Sequence, residues 1–122
     1  MCLIANKLTP FLITILPKKV YKIVAIKGDE LYTAVMLYPI SGNTLTADSP
    51  IEKYYSGNTK RIEGGMIHSC MNKDDAFGFI YYWNNNDSEY RYQVYEAIIP
   101  PFTRYIKGYC DMIASKKIKL IK

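Results

Sequence analysis

Only one histidine occurs in the chain, His68, so any histidine-dependent proton transfer has to run through it. It sits in Gly64-Gly-Met-Ile-His-Ser-Cys70, an apolar stretch that reads as a strand entering a helix. The N-terminal end of a helix offers free N–H groups and positive potential to an anion. Ser69 and Cys70 adjoin the histidine, so a nucleophile beside a base is one chemistry to consider. Successive strand residues point to opposite faces, however, and His68 and Ser69 then cannot meet side by side. The pattern predicts a His68 that hydrogen-bonds to backbone or lines a pocket, with Ser69 in the same neighbourhood and no catalytic residue.

Arginine is the second source of chemistry. Arg61 and Arg104 are two of three arginines, and both fall in loop or loop-edge settings. A guanidinium clamps a phosphate with two parallel hydrogen bonds, which an ammonium cannot match. Arg104, in Pro100-Pro-Phe-Thr-Arg-Tyr105, is the first choice for an anion contact, with Tyr105 beside it and Lys116 contributed by the basic tail. The plainer reading of Arg104 is a surface salt bridge, worth little. No phosphate-binding glycine loop, dinucleotide fingerprint, zinc-protease helix or nucleophile elbow is present. Asp74 and Asp75 read as helix-start residues. No nucleic-acid-binding motif appears, so specific nucleic-acid recognition is not expected.

Charge is distributed unevenly. Residues 1–100 carry ten Lys/Arg and ten Asp/Glu, whereas residues 101–122 carry six against one, so the whole net charge of +5 lies in the last segment. Such a field attracts phosphates, nucleotides or an acidic partner. Lysines on an exposed strand edge, which discourage edge-to-edge pairing, produce the same pattern. The three cysteines, Cys2, Cys70 and Cys110, are an odd number with no CxxC pair, and with one histidine they do not make a zinc site. Reduced thiols, no metal and no cofactor are expected. The apolar run Phe11–Leu16 has six residues, against about 20 for a membrane span. With no signal-peptide pattern, the expectation is a cytoplasmic protein with no membrane contact.

The chain has the length of one ordinary domain and no internal repeat. Val20–Ile26 and Leu31–Tyr38 read as a hairpin turning at Gly28-Asp29. Residues 39–65 are rich in Gly, Asn, Ser, Asp and Pro and read as a long, functional loop, with a short helix or strand at 51–55. Met66–Cys70 is a short strand. Asn72 caps a helix over about 73–83, whose Ala76, Phe77, Ile80 and Trp83 form an apolar stripe. Gly78 within it suggests a close approach to the sheet. Arg91–Ile99 is the clearest strand, followed by shorter ones at 103–106 and 117–121. The expected fold is α+β: a single domain over 1–122, with six to seven strands in a mixed or antiparallel sheet and one main helix. Twelve tyrosines are the loudest compositional signal. They suit interfaces and base stacking, and equally suit half-buried strands. Tyr81 and Tyr82, on the helix flank, are the candidate interface residues for a homo-oligomer or a protein partner.

Met1-Cys-Leu-Ile-Ala-Asn6, Gly65-Met-Ile-His-Ser69, Ile98-Ile-Pro-Pro-Phe-Thr-Arg-Tyr-Ile-Lys-Gly108 and Ala114-Ser-Lys-Lys-Ile118 together resemble a group of small proteins of phages and gut bacteria. The resemblance spans about half the chain and carries no activity with it. Where those relatives have a Lys-Gly pair, this chain has Pro101-Phe102, which stiffens the turn. A more distant likeness is to ADP-ribosyltransferase-type domains, in which Gly65–Ser69 would lead into the helix and Glu96 would be the late-strand glutamate. Three functions follow as expectations. The leading one is a non-enzymatic, phage- or mobile-element-encoded protein that sequesters an anionic, nucleotide-like molecule such as a host immune signal, using Arg104, Tyr105, His68, Ser69, Arg61 and Lys116. The others are an ADP-ribosyltransferase-like enzyme working through Glu96 and His68, and a protein inhibitor of a host defence factor.

Overall fold

A computed structural model describes residues 3–33, 39–47, 51–54, 57–64, 66–84 and 89–121, with 51–53, 63–64 and 81–84 described by their backbone alone. Within them run twelve strands and one helix: β1 (Leu3–Asn6), β2 (Leu12–Ile13), β3 (Lys18–Lys27), β4 (Glu30–Thr33), β5 (Thr44–Thr46), β6 (Ile51–Tyr54), β7 (Thr59–Gly64), β8 (Ile67–Cys70), α1 (Lys73–Asn84), β9 (Arg91–Ile99), β10 (Arg104–Lys107), β11 (Met112–Ser115) and β12 (Lys117–Leu120). The expected α+β domain with six to seven strands is therefore corrected to a strand-dominated, antiparallel fold. Segment 39–65 accounts for much of the difference, because it contains β5, β6 and β7 where one loop was expected. The strand Met112–Ser115 escapes a period-2 reading because all four residues are buried.

Nine strands form the main sheet in the order β2-β10-β11-β8-β3-β9-β12-β5, with β4 extending the hairpin from β3. β3 and β9 pair along nearly their whole length, from Lys18↔Ile99 to Ile26↔Arg91. Gly28 makes the β3–β4 turn at a φ of 62°, which favours glycine. β11 and β12 are one run of chain interrupted only at Lys116, yet they lie on opposite sides of the β8-β3-β9 unit. In a flat sheet those positions would be about 19 Å apart at the usual strand spacing. A single residue cannot bridge that, so the sheet must curl until β11 and β12 meet at Lys116.

The curl creates two cores. Val20, Ala97, Ile99, Ile113, Ile118 and Leu120 fill its inside. On its outer face, Ile23, Cys70, Ile106, Met112 and Ala114 pack against Leu3, Ala5 and Ile62 of the small sheet β1-β7-β6 and against Ala76 of the helix. The Asn72 side-chain oxygen accepts the Asp74 N–H at 2.8 Å, the expected N-cap. Ala76 is fully buried with Phe79 and Ile80 packed beside it, whereas Phe77 is exposed and lies beneath the Lys73 ammonium. At about 100° per residue Phe77 turns away from the stripe, and Phe79 takes its place.

Two glycines give opposite expectations. A Cβ on Gly78 meets nothing within 4 Å, so the close approach suggested by the sequence is absent there. Gly78→Ala should stabilise the protein by about 1 kcal/mol through helix propensity. A Cβ on Gly108 would fall 2.5 Å from Leu3 Cγ and 2.6 Å from the Ile4 carbonyl oxygen, where the small sheet crosses the main one. Gly108→Ala should destabilise by about 1–3 kcal/mol through overpacking. Urea midpoints of the two variants against the parent check both signs.

Candidate functional site

The most distinctive surface is built around Thr14, a buried residue between exposed neighbours. Its N–H donates to the Thr103 carbonyl at 3.0 Å, and its own carbonyl accepts the Phe102 N–H at 2.7 Å. Its hydroxyl donates to the Pro100 carbonyl at 2.6 Å and accepts the Thr103 N–H at 2.9 Å. Four hydrogen bonds thus lock the strand end to the Pro100–Thr103 turn. Within that turn Phe102 holds a φ of 60°, a left-handed conformation that favours glycine. Such backbone strain persists only where the surroundings impose it.

What the clamp displays is apolar. Leu8, Ile13, Ile15, Leu16 and Phe102 are between 64% and 88% exposed. Scattered exposed apolar residues are ordinary, whereas these fall on one short segment and the turn bonded to it. Arg104 stands opposite Ile13 in the β2–β10 register, and its guanidinium lies 4.3 Å from the centroid of the Phe11 ring. This stack holds the guanidinium by cation–π attraction while its N–H edges stay free to meet an acceptor. The Lys60 ammonium approaches the same ring at 5.3 Å and donates to the Thr9 carbonyl at 2.7 Å. Among the described residues Arg104 has no carboxylate partner; the ion pairs there join Lys19 to Glu96 and Lys27 to Glu89. No Asp or Glu occurs in residues 1–28 or 97–110, the two segments that build this face.

No protein-family model, curated protein or solved structure matches this chain.

The residues singled out from the sequence are spread over several surfaces. Arg104 and Lys116 come together through their backbones, the Lys116 N–H donating to the Arg104 carbonyl at 3.0 Å. Tyr105 lies on the opposite face of β10, packed against the inner core. Arg61 belongs to the small sheet, where it pairs with Ile4 on β1, and its Nε is buried. His68 is half-buried on β8, opposite Ala114 on the outer face of the curled sheet. Ser69, fully buried and opposite Ile113, faces the inner core. Glu96 is engaged with Lys19 at 3.3 Å. The helix carries the backbones of Tyr81 and Tyr82, and their side chains lie outside the described residues. Sequence reading missed Phe11, Ile13, Ile15, Leu16 and Phe102. The one signal that could have found them is the absence of any acid from the first 28 residues.

A second polar cluster lies inside the fold. Lys22 alternates with Val20 on β3, is buried, and donates its ammonium to the His68 carbonyl at 2.8 Å. β3 pairs with β8 only at Tyr21↔Cys70 and then moves to β4, so the lysine supplies a hydrogen bond where the two strands part. Burial pushes the Lys22 pKa down to about 8. His68 is held near 4, first by burial and then by the Lys22 charge, so its ring is neutral at physiological pH. Burial raises the Cys70 thiol to about 11. The His68 Nε2 and Ser69 Oγ atoms are buried with no hydrogen-bond partner among the described residues. A buried lysine beside a serine is chemistry a nucleophilic site can use, but a substrate would have to enter the curled sheet to reach it. Among the described residues no group of three or more His, Cys, Asp or Glu side chains is placed to hold a metal ion, and no helix is long and apolar enough to cross a membrane.

Proposed function

We propose that this is a non-enzymatic binding protein that engages a protein partner through the face formed by residues 8–16, the Pro100–Thr103 turn and Arg104. The observation that carries the reading is the exposure of Ile13, Ile15, Leu16 and Phe102 on either side of the buried, hydrogen-bonded Thr14. Interfaces are centred on such preorganised apolar anchors, with arginine prominent among the polar groups. The resemblance to proteins of phages and gut bacteria supports a mobile-element origin, in which the partner is a host protein and binding inhibits it.

A second reading keeps the anionic small molecule. It is favoured by the Arg104 guanidinium stacked on Phe11, whose N–H edges suit a phosphate of a nucleotide-like ligand. Native mass spectrometry of the protein purified from its natural host separates the two. The proposal expects a complex whose extra mass is that of a polypeptide. A retained mass of the order of a nucleotide, with no polypeptide, would replace it by the small-molecule reading.

A further inference from the structure

We infer that the partner docks by adding an extended, acidic and apolar segment to the open edge of β2. This rests on the proposed protein-binding role of the face and specifies its chemistry. β2 ends the main sheet, with β10 on one side and no strand on the other among the described residues. Thr14 directs both its backbone groups to the 100–103 turn. Backbone groups of successive strand residues alternate between the two edges, so Ile13 directs its own outward. An incoming strand can use these donors and acceptors directly, the mode by which sheet edges capture peptides. A lipid surface has no such groups to offer, and hydrocarbon would leave them unpaired at a cost.

The side chains set the partner's composition. Ile13 and Arg104 stand opposite each other on one face of the β2–β10 pair, and Phe11 joins them with its ring against the guanidinium. An added segment therefore meets an apolar row ending in a guanidinium. Arg104 has no carboxylate partner among the described residues, and the two contributing segments contain no acid, while Lys7, Lys18, Lys19, Arg104 and Lys107 lie within them. A second copy would bring like charges together across the same edge, which is unfavourable. A segment that alternates apolar residues with Asp or Glu matches both the row and the charge. Pro10 and Pro17 bound the edge, because a proline supplies no N–H, so the added strand spans the residues between them.

Selection of a yeast-displayed library of random peptides about ten residues long, enough for a strand, on the full protein tests this. The expected outcome is enrichment of peptides that alternate apolar residues with Asp or Glu. The synthetic winner should slow amide exchange at Ile13, and should weaken roughly tenfold or more on N-methylation at alternate positions, a loss of about 1.4 kcal/mol. Arg104→Glu, a change at an exposed residue, should lose the acidic preference. Winners without acidic residues, or winners that tolerate N-methylation at every position, would overturn strand addition and leave the broader protein-binding reading standing. An empty selection would overturn strand addition as well. Retention of the protein on vesicles of phosphatidylcholine and phosphatidylserine, abolished by Leu16→Asp with Phe102→Asp, would overturn both.

Discussion

Taking the protein from pH 6.5 to pH 4 should cost roughly 3 kcal/mol of stability through His68 alone. In the fold this ring is held near 4, chiefly by burial and next by the Lys22 charge, with a backbone hydrogen bond at Ile62 acting the other way. In the unfolded chain it titrates near 6.5, so between the two values the unfolded state binds more protons. Stability is then lowest in acid, rises through this window and levels off above it. His68→Gln should flatten the rise, which urea titrations at several pH values would show. A second rise is expected above pH 8, because Lys22 sheds its proton in the fold near 8 and in the unfolded chain near 10.5. Above about 9 the raised Cys70 thiol works against it, since the fold then holds a proton that the unfolded chain releases. Lys22→Met should remove the rise between 8 and 9 and leave the acid limb in place. An acid limb of full size in His68→Gln would show that other groups produce it.

Thr14→Val, a near-isosteric change, should cost about 2–5 kcal/mol. Valine keeps the shape and removes the hydroxyl, leaving the Pro100 carbonyl and the Thr103 N–H without the bonds seen at 2.6 and 2.9 Å. Each buried backbone group so stranded costs about 1–3 kcal/mol. Thr14→Ser retains the hydroxyl and should cost only about 1 kcal/mol, for one methyl group. Equal losses in the two variants would mean that packing, and not hydrogen bonding, holds the turn. Because Phe102 occupies its left-handed conformation inside this clamp, Thr14→Val should also speed amide exchange across residues 100–103.

The sequence revealed those elements whose signal is local. β9 is seen at Arg91–Ile99, as its alternation implies, and β3 and its Gly28 turn follow the β-branched run and the glycine. Asn72 caps the helix as a short polar side chain should. Three things were hidden for physical reasons. β11 is buried on every side chain, which erases the period of two. β7 carries Lys60 and Arg61 in its centre, and a buried Lys60 does not look like a strand residue until Thr9 is found to accept its ammonium. Closure of the sheet depends on what lies on either side of Lys116, a long-range fact that no window along the chain contains. The candidate face was obscured in the opposite way. In Phe11–Leu16 the composition alone does not separate inside from outside, and the fold shows that Thr14 is buried while Ile13, Ile15 and Leu16 are exposed. Arg104 stands out by residue type, but the inward placing of Tyr105, its chain neighbour, and of Ser69 follows from strand faces that residue type does not show.

The binding role rests on that apolar row. Its most direct test is quantitative mass spectrometry of proteins co-isolated from the natural host with the parent and with an Ile15→Asp, Leu16→Asp, Phe102→Asp variant, all three changes lying on exposed side chains. One or a few host proteins held by the parent and lost from the folded variant is the expected result. An identical set of proteins on both would contradict the assignment of this face as the binding surface.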